Sequence, residues 1–171
     1  MSAFPRYADA TTTISTPALR LFGFLDDHNN LSSHMREPSL MMLGSRMDAY
    51  LDRARTRAVG SRFGFKGAIL GIPLWVDEIV TERELPRRKA WETTGEPGLW
   101  VIGRYRMGFE ITPVSSGARL RVYIEYALPE RGLPRLLGTL FGGMYAHWCT
   151  RRMVDDAKHH FAELRAIASA A

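Results

Sequence analysis

The fold is decided by residues 117–148, which read GARLRVYIEYALPERGLPRLLGTLFGGMYAHW. In the first twelve of these positions apolar and charged side chains alternate, which predicts a strand with one face toward a core and the other toward water. Pro129 and Gly132 then end the strand, and a helical pattern of about thirty residues follows. We therefore expect a twisted antiparallel sheet that curves around one long terminal helix and leaves a hollow between the two.

The alternation extends to the preceding run, residues 99–113, and to earlier parts of the chain. The inner face of the 99–113 run carries, in order, Val101, Tyr105, Met107, Phe109 and Ile111. The inner face of the 117–128 run carries Leu120, Val122, Ile124, Tyr126 and Leu128. Earlier strand-like runs lie at 7–15, 47–51, 63–69, 72–84 and 87–94.

Two short helices are predicted between the first and second strands. The first begins at Ser15-Thr16-Pro17, because a hydroxyl side chain can cap free N–H groups and proline suits a first helical turn. The second covers residues 29–35. The predicted order is strand, two short helices, six strands and long helix. This order describes an α+β protein with a single domain over residues 1–171 and an ordered core of about residues 6–166.

Composition restricts the class of protein. The chain has 171 residues, 46% of them hydrophobic, one cysteine and a net charge of +5. It predicts a folded, cytoplasmic protein without disulfides, a secretory signal or a bilayer-spanning segment. The basic residues are scattered, which argues against nucleic-acid binding. Short basic stretches such as residues 53–57 still allow transient contact with a membrane surface.

Side chains on the two predicted inner faces are the first candidates for a ligand site. Tyr105 and Tyr126 lie on neighbouring strands and could bind a ligand oxygen, whereas tyrosines satisfied within a solid core are the alternative. The remaining candidates for an aromatic and sulfur-containing wall are Phe63, Phe65, Trp75, Trp91, Trp100, Met107, Phe109 and Trp148. The same set is equally suited to form an ordinary filled core.

A stripe on the terminal helix gives the second set of candidates. His147, Arg151 and Asp155 are spaced four apart, and Leu140, Met144 and Trp148 extend the apolar part of the stripe. If this side faces the hollow, His147 and Arg151 could orient a carboxylate, carbonyl or phenolate. If it faces water, Arg151 and Asp155 form only an exposed ion pair.

Two other polar groups do not form a convincing site. Pairs such as His147 with Cys149 or His159 with His160 lack ligand spacing, so we predict no metal and no other cofactor. The run Asp26-Asp27-His28 lies where one short helix ends and the next begins. This position favours helix capping over acid–base catalysis.

Several short segments resemble the START-like superfamily, also called SRPBCC, which includes Bet v 1 proteins, START lipid-transfer domains and polyketide cyclases. The segments are Ile14-Ser15-Thr16-Pro17, residues 21–27 with Leu31, residues 78–80, residues 86–92, residues 117–122, residues 126–129 and Asp156-Ala157 near Phe161. The resemblance implies a helix-grip fold, in which a curved seven-stranded antiparallel sheet surrounds the C-terminal helix. It implies a cavity and its walls, and no shared catalytic residues.

This resemblance implies binding, and by extension transport, of a hydrophobic or amphipathic small molecule such as a lipid, quinone or polyketide. An enzyme of the polyketide cyclase or dehydratase type, using polar cavity residues, is the alternative. A module that binds a protein partner without a ligand is a third. The sequence does not choose the ligand, because the matching residues are mostly capping and turn residues.

Overall fold

The computed structural model describes residues 4–27, 30, 47–69 and 71–170. In chain order the elements are β1 (Arg6–Ile14), α1 (Ala18–Asp26), β2 (Met47–Leu51), β3 (Arg62–Ile69), β4 (Ile72–Glu84), β5 (Arg88–Thr93), β6 (Tyr105–Val114), β7 (Gly117–Tyr126) and α2 (Gly132–Ala170). The short helix predicted over residues 29–35 lies outside the described residues, apart from Asn30.

The seven strands form one antiparallel sheet in the order β1-β7-β6-β5-β4-β3-β2. The first strand pairs with the last, so that Arg6 lies opposite Tyr126 and Ile14 opposite Ala118. All other neighbours in the sheet are consecutive in sequence, as short hairpin connections favour. This arrangement confirms the α+β class and the helix-grip fold.

The inner face of the sheet is apolar and the outer face is charged, as the alternation predicts. In β7 the side chains of Leu120, Val122 and Ile124 are buried. On the outer face Arg121 lies opposite Glu110 of β6 and bonds to it at 2.8 Å, and it also contacts Asp9 of β1 at 3.2 Å. These pairs confirm that charged outer positions meet across neighbouring strands.

Helix α2 packs on β1 and β7 through small residues. A Cβ atom added at Gly142 would lie 2.7 Å from the Val101 carbonyl oxygen, and one added at Gly138 would lie 3.0 Å from it. Both glycines therefore permit a helix-to-backbone approach that a larger residue would prevent. Helix α2 runs through Gly142-Gly143 without a break and is continuous over 39 residues.

Three local predictions need correction. Strand β6 begins at Tyr105, so residues 99–104 are a connection and the strand is shorter than the 99–113 run. Helix α2 is longer than thirty residues because its helical pattern continues through the alanine-rich end of the chain. Within the described ranges no side-chain hydrogen bond caps α1, whose N-cap residue is Pro17. The Thr16 backbone N–H instead donates to the Ile14 carbonyl oxygen at 2.8 Å.

Candidate functional site

The predicted site residues separate into two groups. Seven of them are buried on the inner face of the sheet, namely Phe63, Phe65, Trp91, Tyr105, Met107, Phe109 and Tyr126. Their strands β3, β5, β6 and β7 hold them there because inward and outward side chains alternate. The ring centroid of Phe63 lies 6.5 Å from those of both Phe65 and Trp91, in edge-to-face arrangements. These seven residues, six of them aromatic, line the inner face of the sheet and are called the aromatic wall below.

The second group, on α2, lies on the side of the helix that faces solvent. Leu140 is 63% exposed and Met144 is 55% exposed, His147 and Arg151 are also exposed, and Trp148 is half-buried. Of the two alternatives for this stripe, the structure has the one in which His147 and Arg151 face water, while Trp148 packs partly against the core. The sheet-facing side is formed instead by small and medium residues, and these are Gly138, Gly142, Ala146, Cys149 and Met153.

A buried glutamate stands among the inner-face residues. Glu78 of β4 is 2% exposed and lies opposite Phe63 on one side and Thr93 on the other. The Tyr105 hydroxyl donates a hydrogen bond to Glu78 Oε1 at 2.7 Å. The second oxygen, Oε2, is buried and has no hydrogen-bond partner of normal geometry in the described part of the chain. A buried polar atom without a partner is costly and requires an explanation, such as a bound water molecule or a ligand.

The surroundings of Glu78 favour the uncharged acid. Burial raises the pKa of Glu78 to about 8, and hydrogen bonding from Tyr105 and from the Trp91 indole only partly opposes this effect. The neighbouring charge of Asp77 raises the pKa further. At neutral pH most molecules therefore carry a carboxylic acid at this position.

Two residues of α2, Tyr145 and Cys149, lie near the buried side chains of Glu78 and Tyr105. Tyr145 shares a hydrogen bond with Cys149, and burial followed by the influence of Cys149 and Glu78 raises the pKa of Tyr145 well above its usual value. Burial also raises the pKa of the Cys149 thiol to about 12. Since the thiolate is the reactive form, Cys149 is not a nucleophile at neutral pH.

A second buried polar cluster joins α1 to the sheet. Lys89 is 1% exposed, and its Nζ donates to Asp26 Oδ1 at 2.8 Å and to Thr56 Oγ1 at 3.1 Å. Arg83 binds both oxygens of Asp26, at 3.1 and 2.8 Å. The predicted helix end at Asp26-Asp27-His28 is confirmed, with Asp27 as the C-cap residue of α1, and Asp26 is the last helical residue. Its carboxylate is fully engaged in ion pairs, so this cluster supports the fold.

An open cleft of about 610 Å³ lies at the end of the sheet where β4 begins and β7 ends. Trp75 and Trp100 line it together with Leu128 and the connection to α2. Its lining also includes Arg104 and Ala127, the sequence neighbours of Tyr105 and Tyr126. The cleft therefore adjoins the two strand ends that carry the inner tyrosines.

Glu78 is absent from the predicted site residues, and the segment 78–80 carries only the family resemblance. The available signal was the position of Glu78 in the alternation of β4, in which Leu74, Val76 and Val80 are the other buried inner-face residues. A glutamate at an inward position of such a strand is rarely fully buried, so its position marks it as a candidate functional residue.

No protein-family model matches the sequence, and no curated protein matches it significantly. Solved structures match its fold. The crystal structure of TTHA0849 from Thermus thermophilus has a TM-score of 0.66 at 14% identity, covering 93% of this chain and 99% of that chain. The Zhui aromatase/cyclase from a Streptomyces species gives 0.64 at 10% identity, with 92% and 93% covered. Ara h 8.0201 gives 0.61 at 9% identity, with 92% and 98% covered.

These likenesses show the fold. The chain has the helix-grip fold that its resemblance to the START-like superfamily implies, and the match covers nearly the whole length of each neighbour. Among the described residues, no helix combines the length and the apolar character that crossing a bilayer requires.

Proposed function

We propose that this protein binds a hydrophobic or amphipathic small molecule against the inner face of its sheet, beside α2. The observation that carries this proposal is the buried Glu78 Oε2, which has no hydrogen bond of normal geometry among the described residues and lies among aromatic side chains. A ligand oxygen placed there would offset the cost of burying that atom.

The chemistry of the wall suits such a ligand. Burial of apolar ligand surface against Phe63, Trp91 and Met107 would supply most of the affinity, at about 25 cal/mol per Å². The polar pair of Glu78 and Tyr105 would fix the orientation of the ligand. One solved structure with this fold is that of an aromatase/cyclase, which supports an aromatic ligand.

The test is to identify what the protein carries. The purified protein is analysed by native mass spectrometry and then extracted into organic solvent for compound profiling. We expect a hydrophobic compound at one copy per chain. Met107→Trp should reduce its occupancy, because the new ring occupies space on the inner face. Met144→Trp adds the same bulk on the exposed side of α2 and should leave the occupancy unchanged.

Absence of a compound does not by itself decide the matter, so an added probe completes the experiment. The protein is titrated with 9-fluorenone, a flat aromatic ketone, and binding is followed by calorimetry. A protein that carries no compound and binds no probe would contradict the proposal. So would equal loss of binding in both tryptophan variants.

Transport between membranes is the extension of this proposal that the surface of α2 supports. Large apolar side chains are exposed along its first half, and they are Leu133, Leu136, Leu140, Phe141 and Met144. Residues 131–152 contain four arginines and no aspartate or glutamate. An apolar stripe with cationic ends fits the surface of an anionic bilayer. We therefore propose that these five exposed apolar residues, called the stripe below, dock transiently on the surface of an anionic bilayer.

An enzyme of the cyclase or dehydratase type is the second candidate function. The observation that favours it is an uncharged acid, Glu78, hydrogen-bonded to Tyr105 inside an aromatic wall. Such an acid could protonate a carbonyl oxygen during ring closure and loss of water. Glu78→Gln should then abolish turnover of a β-keto substrate while ligand binding persists. His147→Ala and Arg151→Ala should leave turnover intact, because both residues face solvent.

A further inference from the structure

The cleft of about 610 Å³ at the end of the sheet has walls that are held in place. One wall is the connection between β5 and β6, and backbone hydrogen bonds fix it at two points. The Gly98 N–H donates to the Trp75 carbonyl oxygen at 2.9 Å. The Gly103 N–H donates to the Ala127 carbonyl oxygen, also at 2.9 Å. Because the cleft is already formed, binding there requires little ordering of the protein.

Trp75 presents an aromatic surface to this cleft from outside the core. Its neighbours Leu74 and Val76 are buried on the inner face, so the Trp75 side chain lies on the outer face, where it is 43% exposed. A Cβ atom at Gly98 would overlap the indole ring, so glycine lets the backbone support the ring from one side. Trp100 also lines the cleft and is half-buried. An exposed tryptophan on a fixed support is typical of a binding surface.

Charged side chains of both signs share the lining of the cleft. They are Glu96, Arg104, Glu130 and Arg131, and all four are exposed. Because two positive charges balance two negative ones, an ionic ligand gains little net attraction. A purely apolar ligand would cover these groups and remove their water. Since carboxylates only accept hydrogen bonds and guanidinium groups only donate them, the lining favours a neutral ligand that does both.

A sugar ring combines the properties that this lining requires. The C–H groups of a pyranose ring form a flat apolar face that can stack on an indole ring. The hydroxyl groups at the edge of the ring both donate and accept hydrogen bonds. The volume of the cleft lies within the range of about 300–1,000 Å³ that is typical of ligand sites.

We propose that the cleft binds a free neutral oligosaccharide, with one pyranose face stacked on Trp75 and the ring hydroxyls bonded to the charged side chains of the lining. Trp100 would contact a second part of the sugar chain. This site is separate from the one in the proposed function, because Trp75 lies on the outer face of the sheet and the aromatic wall lies on the inner face.

The four tryptophans of the chain allow a test with an internal control. In a two-dimensional NMR spectrum of isotope-labelled protein each indole N–H gives one signal, and single tryptophan-to-phenylalanine variants assign the signals. The protein is titrated with cellotetraose, maltotetraose and mannotetraose. We expect at least one of these sugars to shift the signals of Trp75 and Trp100. The signals of Trp91, on the inner face, and of Trp148, on α2, should stay in place.

Two variants separate stacking on Trp75 from unspecific contact. Trp75→Ala should weaken binding by at least about tenfold, because it removes the aromatic face. Unchanged signals of Trp91 and Trp148 in this variant would show that its core is intact. Tyr50→Ala removes another aromatic side chain of the outer face, 37% exposed and outside the lining of the cleft. Its dissociation constant should equal that of the wild type.

Three outcomes would overturn this inference. The first is that none of the three sugars shifts an indole signal. The second is that only the signals of Trp91 or Trp148 move, which would place the sugar elsewhere. The third is equal affinity of wild type and Trp75→Ala. None of these results bears on binding of a hydrophobic compound at the inner face, so the proposed function stands or falls separately.

Discussion

The Tyr105 hydroxyl on β6 reaches Glu78 Oε1 on β4 at 2.7 Å, although β5 lies between the two strands in the sheet. The intervening residue is Thr93, which lies opposite Glu78 and whose Oγ1 accepts a hydrogen bond from the Tyr105 backbone N–H at 3.2 Å. Residues of three adjacent strands are thus connected through Tyr105. The buried polar side chains of Glu78, Thr93 and Tyr105 lie there beside the aromatic residues of the inner face.

Tyr105→Phe should destabilise the protein, because it leaves Glu78 Oε1 buried without its donor. We expect the free energy of unfolding to fall by about 1–3 kcal/mol, measured by urea denaturation. Tyr126→Phe is the matched control, since Tyr126 is also buried and lies directly opposite Tyr105 in β7. Equal losses in the two variants would contradict a special role for the Tyr105–Glu78 bond.

Glu78 should make stability depend on pH. Its pKa is about 8 in the folded protein against an ordinary value of 4.5, so between these values the folded chain holds a proton that the unfolded chain has lost. The free energy of unfolding should therefore decrease as pH rises from about 5 to about 8. Glu78→Gln should remove most of this decrease in urea denaturation. A wild type that gains stability over this range, with Glu78→Gln following the same curve, would refute the assignment.

Asp26→Asn should cost about 3–5 kcal/mol, because it leaves the buried Lys89 ammonium without a carboxylate. Burial raises the pKa of Asp26, but hydrogen bonds from Arg83 and Lys89 outweigh it and lower the pKa below the ordinary value. Its contribution is therefore present above that ordinary value and is lost as pH falls through the folded value. Acid denaturation monitored by circular dichroism should show a smaller loss in Asp26→Asn than in wild type.

The control for this prediction is Asp27→Asn. The Asp27 side chain is 38% exposed and lies 4.0 Å from Arg57. Neutralising this partly exposed carboxylate should therefore cost less stability than Asp26→Asn. A comparable effect of the two substitutions would show that the buried cluster is not what stabilises the end of α1.

Gly142→Ala should destabilise the protein, whereas Gly143→Ala should not. A Cβ atom at position 142 would lie 2.7 Å from the Val101 carbonyl oxygen, so helix or backbone must move, at a cost of about 1–3 kcal/mol. At position 143 the nearest such contact is 3.7 Å, from the Tyr126 hydroxyl oxygen, and alanine should stabilise the helix by up to about 1 kcal/mol. Calorimetric melting of the two variants provides the measurement, and shifts of the same sign would contradict it.

Leu140→Glu should weaken binding to vesicles of phosphatidylcholine and phosphatidylserine by at least about tenfold, since it removes an apolar contact and adds a negative charge. Ile167→Glu makes the same change on the same helix, at a side chain that is 67% exposed against 63% for Leu140, but away from the stripe. Its binding should stay near the wild-type value in cosedimentation. Binding that is absent in wild type, or lost equally in both variants, would refute docking through the stripe.

Much of the sheet could be predicted from sequence because its strands have one solvent-exposed face and one buried face. The alternation correctly placed Phe109 and Val122 inward, and the charges of Glu110 and Arg121 outward. The start of β6 was harder to predict, because residues 99–104 contain apolar side chains but do not pair as a strand. Local pattern does not show which apolar run finds a hydrogen-bonding neighbour.

The orientation of α2 could not be predicted from its largest apolar residues. The usual rule places leucine and methionine toward the core, but here Gly142 and Ala146 face the sheet while Leu140 and Met144 face solvent. Close packing on β1, β7 and the backbone at Val101 selects the small side, and this requirement comes from parts of the chain distant in sequence from α2. Glu78 was overlooked for a similar reason, since its connection to Tyr105 crosses an intervening strand.

The single cysteine has a practical consequence. Cys149 is 5% exposed on the sheet-facing side of α2, and its high pKa keeps it protonated. An alkylating reagent can react with it only when the helix lifts away, so the rate of labelling measures how often the structure opens at this place. If a bound ligand dissociates and rebinds faster than Cys149 is labelled, it must do so by a route that does not require α2 to move away from the sheet.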